Sequence, residues 1–123
     1  MKFDAILNNF KDIAGDNLKK ISPHKYLVTF PIMLVENFDS LPVYLVNLDE
    51  EAYLADYGKT LESMEVAFDD LKPQLKEYIS NKLKFLGVEF DGQSMMMPIK
   101  ENNERLCLSL FVMAISFLQT VCL

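Results

Sequence analysis

Residues 104–123 are almost wholly apolar, and this segment constrains the fold more than any other. A helix that is apolar over most of its circumference belongs in a core, in a membrane or between subunits. Its uninterrupted apolar length falls short of the roughly 20 residues that a spanning helix needs, and no basic cluster follows it. The first expectation is therefore a helix buried at the centre of the domain. A homodimer sharing this C-terminal helix ranks second, and a tail anchor third. The polar residues Ser109, Ser116 and Thr120 fall on one narrow stripe of it. With half of its 123 residues hydrophobic and 24% charged, the chain can bury such a helix within one domain, residues 1–123.

Upstream, Phe3, Ile6, Leu7, Phe10 and Ile13 recur at helical spacing and predict an amphipathic helix that stops at Gly15. Residues 18–21 and 25–30 read as strands, parted at Ser22-Pro23 because proline cannot donate to a ladder. Tyr26, Val28 and Phe30 share one face of the second. Met33-Leu34-Val35 reads as an edge segment and residues 37–40 as a loop. Two runs of β-formers within 42–55 flank the acidic turn Asp49-Glu50-Glu51 and predict a hairpin, which breaks at Asp56-Tyr57-Gly58. Residues 59–68 read as a short helical turn and a loop.

Asp69-Asp70 then offers an N-cap and Pro73 a first-turn residue for a helix. Its apolar stripe is Leu71, Leu75, Tyr78, Ile79, Leu83 and Leu86, and Gly87 with Val88 predicts a Schellman stop. Residues 88–90 and 93–99 read as a second hairpin about Asp91-Gly92, with positive φ at both central positions. Asn102 or Asn103 is placed to cap the final helix. The expected fold is α+β in the order α-β-β-β-α-β-β-α, an antiparallel sheet covered on one face by helices, the C-terminal helix central.

Twelve Lys and Arg against eighteen Asp and Glu give a formal charge of −6. An acidic surface repels phosphate backbones, so no direct nucleic-acid binding is expected. Cys107 and Cys122 lie fifteen residues apart on one helix, roughly 22 Å, too far for a disulfide. Reduced thiols suit a cytoplasmic protein, and the start Met1-Lys2-Phe3-Asp4 does not read as a secretion signal. His24 is the only histidine, and the four glycines at 15, 58, 87 and 92 form no phosphate loop. No catalytic, cofactor or metal site is expected from these residues.

Two features remain. Asp56, with Lys59 nearby and acids at Asp49, Glu50 and Glu51, is the one set from which a magnesium-dependent nuclease site could be assembled. The turn acids, however, should lie at the opposite end of the strands from Asp56. The structural reading has Asp56 accepting hydrogen bonds from its own turn. In Met95-Met96-Met97, Met95 and Met97 face one side and Met96 the other. If its side of the strand is open, Met96 is a candidate for an adaptable partner surface, with Asp49, Glu50 and Glu51. The loop acids in general, Glu36, Asp39, Asp69 and Asp70 among them, read as a solvated surface.

The run Tyr53-Leu54-Ala55-Asp56-Tyr57-Gly58-Lys59-Thr60-Leu61 resembles the signature of a bacterial and phage family, DUF1828, a domain of unknown function. That signature is an apolar pair, a small residue, Asp, any residue, Gly, any residue, Thr, Leu. Val43-Tyr44-Leu45 and Leu86-Gly87-Val88 with Asp91-Gly92 are similar to its pattern too, while Tyr57 stands where the family usually has a second acid. The resemblance makes Asp56, Gly58, Lys59 and Thr60 a candidate turn or functional motif and implies no activity. The element order alone resembles type III secretion chaperones.

The leading expectation is a small, acidic, non-enzymatic, cytoplasmic protein-binding module with a protein partner and no membrane. The alternatives are a phage or mobile-element inhibitor that offers acidic loops to a host nucleic-acid enzyme, a secretion-chaperone-like dimer, and a metal-dependent nuclease around Asp56.

Overall fold

A computed structural model describes residues 2–29 and 43–122. The expectations for Phe30, Met33-Leu34-Val35, Glu36, Asp39 and the 37–40 loop lie outside them. Among the described residues six antiparallel strands form one sheet in the order β1-β2-β3-β4-β6-β5. They are β1 (Leu18–Ser22), β2 (Lys25–Val28), β3 (Val43–Leu48), β4 (Glu51–Ala55), β5 (Glu89–Phe90) and β6 (Met95–Pro98). The helices are α1 (Lys2–Ala14), α2 (Lys59–Met64), α3 (Pro73–Phe85) and α4 (Glu104–Val121). The fold is α+β, and among the described residues four strands rather than three precede the first internal helix. The hairpin expected within 42–55 supplies two of these, β3 and β4, beside β1 and β2.

Local chemistry accounts for most of the boundaries. Gly15 adopts φ 54°, which ends α1 where the sequence placed its stop. At the β3–β4 turn, Asp49 and Glu50 both take positive φ, 52° and 69°. That geometry matches the twist of the flanking strands, and Asn47 Oδ1 holds it by accepting the Glu50 N–H at 2.9 Å. Beyond α3, the Val88 N–H donates to the Leu83 carbonyl at 2.9 Å and the Gly87 N–H to Lys84 at 3.0 Å, the two bonds of a Schellman stop.

Four local expectations are corrected. Lys72 precedes α3 without a side-chain cap, and Asp69 and Asp70 instead sit in a separate 3-10 turn, Phe68–Asp70. Pro73 does open the helix, because a first-turn residue needs no N–H partner. The Asp91-Gly92 turn spans four residues, and of its central pair only Gly92 has positive φ. Asp91 Oδ1 accepts the Gln93 and Ser94 N–H groups at 2.8 and 2.7 Å, which closes the longer turn, so β6 begins at Met95. Neither asparagine caps α4 through its side chain. The buried Glu104 carboxylate instead ties the helix start to the connector and to α1, accepting the Asn102 N–H and the Asn9 side-chain amide.

The core lies between one face of the sheet and the helices. Phe3, Ile6 and Phe10 of α1, Ile79 and Leu83 of α3, and Leu108, Phe111, Ile115 and Leu118 of α4 form one cluster with Val28, Val43, Leu45, Leu54, Met95 and Met97. By length and composition alone α4 would pass for a membrane-spanning segment, yet it buries one side against this cluster. It also contacts α1, α2 and β6, and is central in that sense. It is not buried all round. Leu106 and Met113 are 58% and 54% exposed, next to the exposed Ser109 and Thr120. The polar stripe marks the solvent side of the helix.

Candidate functional site

The signature around Asp56 folds into a lock between β4, α2 and β6. Asp56 is 1% exposed, and its Oδ1 accepts the Gly58 N–H at 2.9 Å and the Met95 N–H at 2.8 Å. The first bond closes the local turn, and the second reaches a strand 39 residues away in sequence. Gly58 adopts φ 73°, and a Cβ there would approach Ser94 Oγ to 3.2 Å and the Gln93 carbonyl oxygen to 3.4 Å. Thr60 is fully buried and Leu61 enters the core, while Lys59 is exposed as the first residue of α2. Four positions of the signature thus have structural duties.

Burial pushes the Asp56 carboxyl above its ordinary value, against the pull of the Met95, Gly58 and Thr60 groups. Thr60 faces the carboxylate, yet Asp56 Oδ2 and Thr60 Oγ1 are both buried without a hydrogen bond of standard geometry among the described residues. Asp49 and Glu50 form the tip of the β3–β4 hairpin, at the far end of β4 from Asp56. Glu51, the first residue of β4, pairs with Lys2 at 2.9 Å. His24 sits in the exposed β1–β2 turn, and Cys107 and Cys122 are free. Among the described residues, no three His, Cys, Asp or Glu side chains gather where they could hold a metal ion.

The unexpected surface is the sheet face turned away from the helices. Alternation from the core residues assigns Leu27, Tyr44, Val46, Tyr53, Ala55 and Met96 to it. They adjoin across four strands. Tyr44 pairs with both Leu27 and Ala55, Val46 pairs with Tyr53, and Ala55 pairs with Met96. The small or branched Val46 and Ala55 are buried although they stand outside the core cluster, each between larger neighbours. Leu27, Tyr44, Tyr53 and Met96 are half-buried. Beside them, Tyr57 meets Tyr44 edge-on at 4.9 Å, and Lys25 Nζ lies 4.6 Å from the Tyr57 ring.

Of the candidate partner residues, Met96 therefore joins this apolar face, and Asp49 and Glu50 stand at the hairpin tip, near the other end of β4. The three do not form one compact patch. Sequence reasoning missed Tyr44 and Tyr53. The available signal was Val43-Tyr44-Leu45-Val46, four apolar residues with no polar alternate, the pattern of a strand with apolar surroundings on both faces.

No curated protein and no solved structure matches the chain. Residues 31–117 match the family model described as "Domain of unknown function DUF1828", a span that contains the Asp56 lock and the strands β3 to β6, and the chain belongs to that family.

Proposed function

We propose that this chain is a small cytoplasmic protein-binding module that acts by contact rather than by catalysis, with the open face of its sheet as the contact surface. One observation carries the reading. An antiparallel sheet with one solvated face ordinarily alternates apolar residues inward and polar residues outward. Here the centre of the outward face is Leu27, Tyr44, Val46, Tyr53, Ala55 and Met96, and its charged residues, Lys19, Lys25, Glu51 and Glu89, stand around that centre. Tyrosine brings large apolar area at low entropic cost, and methionine adapts to irregular partners. The partner is a protein segment with apolar side chains for this face and a basic residue for Asp49 and Glu50. The nuclease reading has less support, since the Asp56 carboxylate serves two backbone N–H groups and the turn acids lie at the far end of β4.

A photo-reactive residue placed at position 96, or at position 11 on the helical side, tests this in cells. A discrete adduct with another protein from position 96 and none from position 11 is the expected result. Equal labelling from both positions, or none from position 96, would remove the sheet face from the account.

A further inference from the structure

On the helical side a second surface is left open, independent of the sheet face. Tyr78 and Phe85 of α3 are 54% and 82% exposed, and Met113 of α4 is 54% exposed. Tyr78 was expected within the buried stripe of α3. Instead its ring meets Phe117 of α4 edge-on at 5.6 Å, and Phe117 in turn lines a groove of about 400 Å³ between the two helices. Val112, Met113 and Phe117 line the groove from α4, and Lys82 enters it from α3. Tyr78, Lys82 and Phe85 are spaced by four and three, one face of a helix.

Charge identifies what fits there. Residues 72–86 contain four lysines, at 72, 76, 82 and 84, and one acid, Glu77, on a chain whose formal charge is −6, and of these lysines Lys82 lines the groove. Among the described residues the one ion pair joins Lys2 to Glu51, and Lys82 Nζ lies over the Phe85 ring at 5.7 Å. A second copy seated two-fold on this groove would set one basic α3 against another, with like charges opposed. An anionic membrane would meet a concave surface on a net acidic protein. A groove between two helices, rimmed with apolar side chains, suits the apolar face of an amphipathic helix.

We propose that the α3–α4 groove docks an acidic amphipathic helix of a partner protein, with apolar side chains on Val112, Met113 and Phe117 and against the flanking Tyr78 and Phe85, and a carboxylate on Lys82. The test uses the full chain and two fluorescein-labelled helical peptides with leucine at i, i+3 and i+7. One carries glutamate at the remaining positions and the other lysine, and anisotropy measures binding. The glutamate peptide should bind at least about tenfold tighter, as expected of a desolvated charge pair. Lys82→Glu should reverse the preference. Phe85→Ala, at a side chain too exposed to disturb folding, should weaken binding about tenfold. Met96→Glu, on the sheet face, should leave it unchanged. Three results would each overturn the assignment: equal affinity for both peptides, indifference to Lys82→Glu and Phe85→Ala, or sensitivity to Met96→Glu. So would sedimentation with phosphatidylcholine–phosphatidylglycerol vesicles lost in Phe85→Ala, which gives the groove to a membrane. A concentration-dependent dimer lost in the same variant gives it to a second copy.

Discussion

Replacing Asp56 measures how much of the fold depends on its lock. Asp56→Ala removes the acceptor for both the Met95 and the Gly58 N–H groups. A buried donor left without a partner costs roughly 1–3 kcal/mol. Loss of the partnerless Oδ2 offsets part of this, so a net destabilisation of about 2–4 kcal/mol is expected. The entropy of unfolding is about 2.1 cal/mol/K per residue, which for this chain makes the Tm shift roughly 8–15 °C downward. Asp56→Asn keeps an oxygen for both donors and sheds the buried charge, and should cost about 1 kcal/mol. Far-UV circular dichroism is the assay, since the chain has no tryptophan. A cost below about 1 kcal/mol for alanine would refute the lock. Equal costs for Asn and Ala would show that charge matters rather than the acceptor. A rise in the wild-type Tm with magnesium, abolished in Asp56→Asn, would favour a metal role instead.

Three further outcomes follow from the same geometry. Because burial raises the Asp56 pKa above its unfolded value, the folded state holds that proton longer. This contribution to stability is fully present below the ordinary value of 3.8 and is lost as pH rises through the folded pKa, so in paired urea titrations Asp56→Asn should cost more in acid than at neutral pH. Phe111→Ala should cost about 3–5 kcal/mol in chemical denaturation, since Phe111 is fully buried, whereas Met113→Ala should stay within about 0.5 kcal/mol. Gln119 is fully buried and neither amide atom has a partner among the described residues, so Gln119→Met should raise stability by about 1 kcal/mol in the same assay.

Much of the fold was legible because its determinants are local. The Schellman stop needs only Gly87, Val88 and the preceding turn of helix. The split between Met95, Met97 and Met96 follows from the two-residue repeat of a strand. Longer-range features were not legible. The bond from Asp56 to the Met95 N–H joins residues 39 apart, and nothing in the turn announces it. Tyr78 fits the buried stripe of α3 by spacing, but Phe117 of α4 meets its ring at the surface. The solvent side of α4 was readable in the Ser109, Ser116 and Thr120 stripe, although the surrounding apolar residues argued for burial all round. Local chemistry can also mislead. Asp91-Gly92 suggested a two-residue turn, and the Asp91 carboxylate instead organises a four-residue one.

The claim on which the functional account rests is that the sheet has an open apolar face around Met96 opposite its packed one. Methyl-labelled methionine NMR with a soluble paramagnetic probe reads this side chain by side chain. The Met95 and Met97 methyls, packed in the core, should stay sharp, while those of Met96 and the exposed Met113 broaden as probe is added. A Met96 methyl as protected as that of Met95 would mean that this face is already covered, and would contradict the account.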